Sequence, residues 1–156
     1  MNKIIKLLFP LLIIISCVFG YQFISNDNNQ ENISEVTISE EGKYTSKEDV
    51  ALYLHLYNHL PSNYITKTQA KKLGWDSEKG NLWEVTDHMS IGGGPFQNLE
   101  GLLPTNKEYK ECDINYQGKD RGSERIVYSI DGYIYYTDDH YESFELLYKP
   151  EWKQLS

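Results

Sequence analysis

The sequence predicts an α+β domain in which N-terminal helices pack on an antiparallel sheet. Apolar residues recur at helical spacing only between residues 46 and 85. From residue 88 to residue 148 apolar and polar residues alternate in short runs, with Gly-containing turns between them. Helices first and strands after is the order of an α+β fold; a parallel α/β sheet would interleave the two.

In SKEDVALYLHLYNHLP, Ser46 is placed to cap a helix, Glu48 and Asp49 fall in its first turn, and apolar residues 50, 51, 54, 57 and 60 share one face. Pro61 is its expected stop. TKTQAKKLGW follows with Thr66 and Gln69 at capping-box spacing and Gly74 as the C-terminal signal. A third short helix is expected around 81–85. Strands are expected near 88–91, 96–99, 109–115, 125–130, 133–137 and 143–148. In ECDINY, Cys112, Ile114 and Tyr116 alternate with Glu111, Asp113 and Asn115, which predicts one apolar and one polar face. In RIVYSIDGYIYYT, Asp131-Gly132 marks a tight hairpin between two alternating runs.

At 156 residues the chain accommodates one compact domain. Residues 1–20 differ in kind from the rest. Lys3 and Lys6 precede an apolar run from Leu7 to Phe19, the pattern of a signal peptide and too short for a comfortable membrane span. Cleavage before Tyr21 would release a secreted protein. Ile14-Ile15-Ser16-Cys17 also resembles a bacterial lipobox, and lipidation at Cys17 would instead anchor the protein at the cell surface. Residues 21–45 are polar, without a sustained apolar period, and read as a mobile linker or pro-segment. The domain is then expected over 46–156. Cys112 alone remains in it, which excludes an intramolecular disulfide and a cysteine-built zinc site.

The net charge is −8, and from Glu48 onward 11 Lys and Arg stand against 18 Asp and Glu, a net of −7. A nucleic-acid surface is usually basic, so any polyanion bound here must meet a local cationic cluster rather than a basic face. Such a cluster is available. Glu111 lies on the polar face of one strand, Arg125 begins the next, Arg121 lies four residues earlier, and His140 follows the hairpin. In a meander these strands are neighbours. A carboxylate and an imidazole can divide the two proton transfers of RNA cleavage by the 2′-hydroxyl, while arginines offset charge growing on phosphorus. Each residue also has a plainer reading. Glu111 and Asp113 fit a solvated strand face, and Arg121 and Arg125 fit ion pairs with Asp113, Asp120 or Glu124. Asp138, Asp139 and His140 fit a metal site, although no second histidine stands at ligand spacing.

The blocks LPSNYITKTQAKKLGW, KGNLWEV, SIGGGPFQNLEGLLP, ECDINY, RGSERIVYSIDG and TDDHYESF, taken together and in this order, resemble the secreted bacterial guanyl-preferring ribonucleases of the barnase type. They cover about the last two-thirds of the chain. The resemblance implies helices packed on a five-stranded antiparallel sheet. It also implies a secreted, monomeric endoribonuclease that needs no metal or cofactor and works through a 2′,3′-cyclic phosphate. Carried over residue by residue, the general base is Glu111 and the general acid His140. Arg121 and Arg125 fall on the positions that contact phosphate, Lys67 on the family's catalytic-site lysine, and Asp113 on the acid that holds the arginines. Tyr141 falls on an aromatic position beside the histidine. In GPFQNLEG, Glu100 falls on the carboxylate that accepts from the guanine edge, with Gln97 and Asn98 in the same base-binding loop. The expected partners are RNA and an intracellular inhibitor of the barstar kind. Two positions depart from the pattern: Leu99 replaces a common arginine, and Gly94 a common acid. A catalytically silent member acting as a toxin-like or binding module is the alternative to an enzyme.

Overall fold

The computed structural model describes residues 37–150; the expected signal peptide, Cys17 and residues 21–36 lie outside the described residues. Helix α1 (Lys47–Tyr57) opens as expected, with the Ser46 side chain accepting from the Asp49 N–H. It ends before Pro61. Asn58 takes the left-handed conformation at φ 58° and returns its N–H to the Leu54 carbonyl, a turn that asparagine tolerates better than most residues. The capping box of Thr66 and Gln69 forms at the start of α2 (Lys67–Lys72), and α3 is the single turn Leu82–Val85.

The sheet runs β1 (Tyr64–Ile65), β2 (Ser90–Phe96), β3 (Tyr109–Asp113), β4 (Arg125–Ser129), β5 (Ile134–Thr137) and β6 (Glu145–Tyr148), each strand beside the next. The five strands from β2 to β6 are antiparallel, as expected. The sixth, β1, pairs parallel to β2 over two residues, too short to show alternation in sequence.

The two runs expected near 88–91 and 96–99 are one strand, β2, ending at Phe96. Glycine makes this continuity possible. A Cβ on Gly92 would meet the Cys112 Cβ and a Tyr64 ring carbon at 2.7 Å, and Gly93 bulges at φ 86°.

Helix α1 buries Val50, Ala51 and Leu54 against Cys112, Ile114, Ile126 and Ile134, which form one face of the sheet. Tyr109, Val127 and Tyr135 point to the other face, where Leu103, Phe96, Tyr141 and Phe144 cover them. The α2–α3 region packs Ala70, Trp75 and Leu82 on Ile91 and Tyr116 at one end. The face of β3 expected to be solvated is covered as well. Glu111 keeps 8% and Asp113 1% of its surface exposed.

The domain also begins earlier than Ser46. Ile38 is buried, and the Tyr57 and Tyr53 hydroxyls donate to the carbonyls of Ile38 (2.9 Å) and Glu40 (2.7 Å). Asn63 pairs both ways with the Tyr44 backbone, at 2.9 and 3.2 Å. Residues 38–45 look polar in sequence because they use backbone carbonyls and one isoleucine, not an apolar stripe, to dock. Tyr53→Phe and Tyr57→Phe should each lower the unfolding free energy in urea by about 1 kcal/mol, the net value of one such hydrogen bond. Unchanged midpoints in both would mean that this segment does not hold the domain.

Candidate active site

The site grows from the β3 face that points away from α1. Asp113 pairs across to Arg125 on β4, and Arg125 to Thr137 on β5, so three polar residues form a row across the strands. Asp113 has no exposed side-chain surface. Arg121 forks onto it, Nε to Oδ2 at 2.7 Å and Nη2 to Oδ1 at 2.6 Å. Arg125 brings its Nε to 3.0 Å from Oδ1, close enough for an ion pair but misaligned for a hydrogen bond. Its Nη1 donates instead to the carbonyls of Glu124 (2.8 Å), Gly122 (3.1 Å) and Arg121 (3.3 Å), which pins the 121–124 turn. Of the three acids open to the arginines in sequence, Asp113 takes both. Glu124 is occupied by Tyr136 and Asn115.

Two residues along β3, Glu111 accepts from Lys67 Nζ at 3.1 Å on Oε1 and from the Tyr141 hydroxyl on Oε2. Burial by itself would raise the Glu111 pKa. The Tyr141 hydrogen bond, the charge and hydrogen bond of Lys67 and the charge of Arg121 outweigh it, and the carboxyl sits below its ordinary value. Burial first, and then the Glu111 carboxylate, push the Tyr141 phenol up, so it stays a donor. Lys67, Arg121 and Arg125 against Glu111 and Asp113 leave the cluster with a net charge of +1 inside an acidic protein.

His140 follows β5 on an exposed turn, its ring centroid 4.9 Å from that of Tyr141. Tyr141 thus touches both His140 and Glu111. Asp139 does not orient the imidazole. Both its oxygens serve the turn, Oδ1 accepting from Thr137 Oγ1 (2.8 Å) and the Ser143 N–H (2.9 Å), and Oδ2 from Ser143 Oγ (2.6 Å). Among the described residues no three His, Cys, Asp or Glu side chains converge as a metal-holding group.

The loop after β2 reaches the site through Phe96, whose ring centroid lies 5.1 Å from that of Tyr141. Asn98 turns at φ 47° and braces the loop on Leu103, donating to its carbonyl at 2.8 Å and accepting its N–H at 3.0 Å. That engagement makes Asn98 a loop-shaping residue. Glu100 is exposed beside it, and Leu99 is 81% exposed. Gln97 stands apart from Glu111. It lines a cleft of about 490 Å³ with Phe96, Tyr109, Lys110, Tyr128 and Ile130. That cleft contains none of the acid–base residues.

Sequence reasoning missed Thr137 and Ser143, which hold the turn, and Phe96, which joins the loop to Tyr141. The Thr-x-Asp-x-x-x-Ser spacing of residues 137–143 was the available signal, since Asp, Ser and Thr favour side-chain bonds to nearby backbone.

A sequence model described as ribonuclease matches residues 47–148. The chain is 52% identical over 99 residues to a ribonuclease of Heyndrickxia coagulans, covering 62% of this chain and 91% of that one. A Bacillus intermedius ribonuclease shows the same identity and length of match, over 61% of its own chain. A guanyl-specific ribonuclease St of Saccharopolyspora erythraea is 46% identical over 72 residues, 44% of this chain and 67% of that one.

Two outcomes follow from the buried charges. Asp113→Ala strands Arg125 in the interior and should cost about 3–5 kcal/mol in urea unfolding; a loss below 1 kcal/mol would refute the pairing. Tyr141→Phe should raise the Glu111 pKa, read by NMR titration of its side-chain carboxyl. The sign for stability follows: a depressed folded pKa stabilises above the unfolded value and the gain disappears as pH falls through the folded one. Tyr141→Phe should therefore narrow the stability difference between neutral and acid pH.

Proposed function

The chain belongs to the ribonuclease family, and from that premise we propose that it is an exported endoribonuclease that cuts single-stranded RNA after guanosine by metal-independent transphosphorylation. The observation that carries this reading is Glu111, a buried carboxylate held ionised on the same face as Lys67, Arg121 and Arg125.

An ionised carboxylate with a depressed pKa is a weak base in water, but a 2′-hydroxyl attacking phosphorus becomes acidic as the new bond forms. Lys67 and Tyr141 each take one lone-pair position on Glu111 and leave others to accept that proton. The 2′-oxygen bonds to phosphorus, the bond from phosphorus to O5′ breaks, and protonated His140 gives its proton to the leaving O5′. The products are a 2′,3′-cyclic phosphate and a 5′-hydroxyl. In the second step neutral His140 takes a proton from water, the water oxygen bonds to phosphorus, and Glu111 returns its proton to the departing 2′-oxygen. Arg121, Arg125 and Lys67 offset the charge that builds on the non-bridging oxygens.

Base preference is assigned to the loop of Asn98 and Glu100. Guanine offers N1–H and N2–H donors on one edge, which suit the free Glu100 carboxylate. The name of the Saccharopolyspora erythraea relative supports this choice. Export rests on the basic start and apolar run of residues 1–20, with lipidation at Cys17 as its variant form. No helix among the described residues is long and apolar enough to cross a membrane. An acidic inhibitor in the producing cell would meet the cationic cluster and, at Leu99, an apolar rim.

Digestion of a defined oligoribonucleotide in excess chelator tests the proposal. The expected cuts lie 3′ to guanosine and carry cyclic-phosphate ends, and Glu111→Gln and His140→Ala should each slow cleavage by about 10²–10⁴-fold. Loss of wild-type activity in chelator, or 5′-phosphate products, would overturn the mechanism. Binding without cleavage would identify a silent binding module instead.

A further inference from the structure

His140 and Tyr141 are consecutive, neither is glycine, and both hold left-handed backbone at φ 58° and φ 78°. L-residues avoid this region, and such strain persists only where the surrounding structure over-determines it. No hydrogen bond among the described residues restrains the His140 ring; its ring contact is with Tyr141 of the same turn, so the backbone of that turn decides where the ring can reach.

One side chain governs that backbone. Thr137, at the end of β5 and 2% exposed, donates from Oγ1 to Asp139 Oδ1 at 2.8 Å and accepts the Tyr141 N–H at 3.0 Å. Asp139 passes the restraint on to Ser143, through its N–H at 2.9 Å and its hydroxyl at 2.6 Å. Ser123 ties the Asp138 carbonyl to the turn that Arg125 pins. The bonds from Ser143 and Thr137 hold the Asp139 carboxyl down at about 2, so the clamp stays charged across the working range of pH. The Thr137–Tyr141 and Asp139–Ser143 links bridge His140 without touching its imidazole.

We propose that Thr137, working through Asp139 and Ser143, is a positioning residue for the general-acid step: its hydroxyl locks the left-handed His140–Tyr141 pair and thereby sets where the imidazole delivers its proton. The proposal rests on the reading of His140 as the acid. Without the hydroxyl, the turn relaxes toward ordinary backbone angles and carries the ring off the line to O5′. Glu111 keeps its strand position and its bond from Lys67, so the larger loss falls on protonation of the leaving group, with a smaller one from loosening of the Tyr141 hydroxyl on Glu111.

That asymmetry gives the test. Two substrates are compared with the full-length protein: guanylyl-(3′,5′)-cytidine, whose alkoxide must be protonated to leave, and guanosine 3′-(4-nitrophenyl phosphate), whose phenolate leaves unaided. Circular dichroism fixes a temperature at which each variant is folded. Thr137→Val should lower kcat on the dinucleotide by about 10- to 100-fold, the penalty of a misplaced group, with KM little changed. It should retain most activity on the nitrophenyl ester, as should His140→Ala, and Thr137→Ser should restore the dinucleotide reaction. Equal losses on both substrates, or full dinucleotide activity in Thr137→Val while His140→Ala is inactive, would overturn the clamp. Full activity of His140→Ala would instead overturn the reading on which the clamp rests. If Thr137→Val does not fold, Ser143→Ala on the exposed turn should show the same leaving-group dependence in smaller measure, and an undiminished kcat there would refute the proposal.

Discussion

Asp113 has no exposed side-chain surface and meets Arg121 through a two-pronged hydrogen bond and Arg125 at 3.0 Å. Burying one carboxylate with two guanidiniums is costly in desolvation and is recovered only if the geometry is held closely. The strands supply that geometry. Asp113 and Arg125 are cross-strand partners on β3 and β4, so backbone pairing places the two charges opposite each other. Arg121, on the connecting turn, then has one place to go. With its charge half-satisfied, the cluster keeps one positive charge to offer a phosphate.

The acid–base pair is built in two different ways from that base. Glu111 is rigid: a strand residue, nearly buried, bonded by Lys67 from α2 and by Tyr141. His140 is exposed on a turn and owes its place to bonds made by its neighbours. A buried ionised base needs preorganised donors, because no water is there to stabilise it. A proton donor needs access to the leaving group and to solvent. Tyr141 spans the two arrangements, with its ring between Phe96 and His140 and its hydroxyl on Glu111. The base-binding loop, the carboxylate and the imidazole are therefore coupled through one side chain. The acidic remainder of the protein contributes little to attraction of RNA from afar, and exposed Leu99 adds no charge at the rim.

The helices and antiparallel strands were legible because each carries its own local chemistry: the caps of Ser46 and Thr66, the alternation in ECDINY, the Asp131-Gly132 turn. The misreadings share a cause. Residues 38–45 dock through carbonyl groups that any residue possesses, so composition misread them as linker. The triple glycine looked like a break between strands, whereas Gly92 and Gly93 carry one strand past Cys112, Tyr64 and Leu60. β1 is too short to carry a period. Asp139 fitted a metal site through its adjacency to His140, yet a strained turn directs its oxygens to Thr137 and Ser143.

By itself the sequence determined the class of fold, the inventory of acid, base and cations and, through six ordered blocks, the family, since these depend on residue identity and short-range spacing. Only the tertiary structure decided which acid takes the arginines, that the polar face of β3 is buried, that Glu111 stays ionised there, and that Gln97 faces another cleft. Those outcomes depend on what lies across a strand pair or beneath a covering loop, and neither separation in space nor loss of solvent is written in the order of residues along the chain.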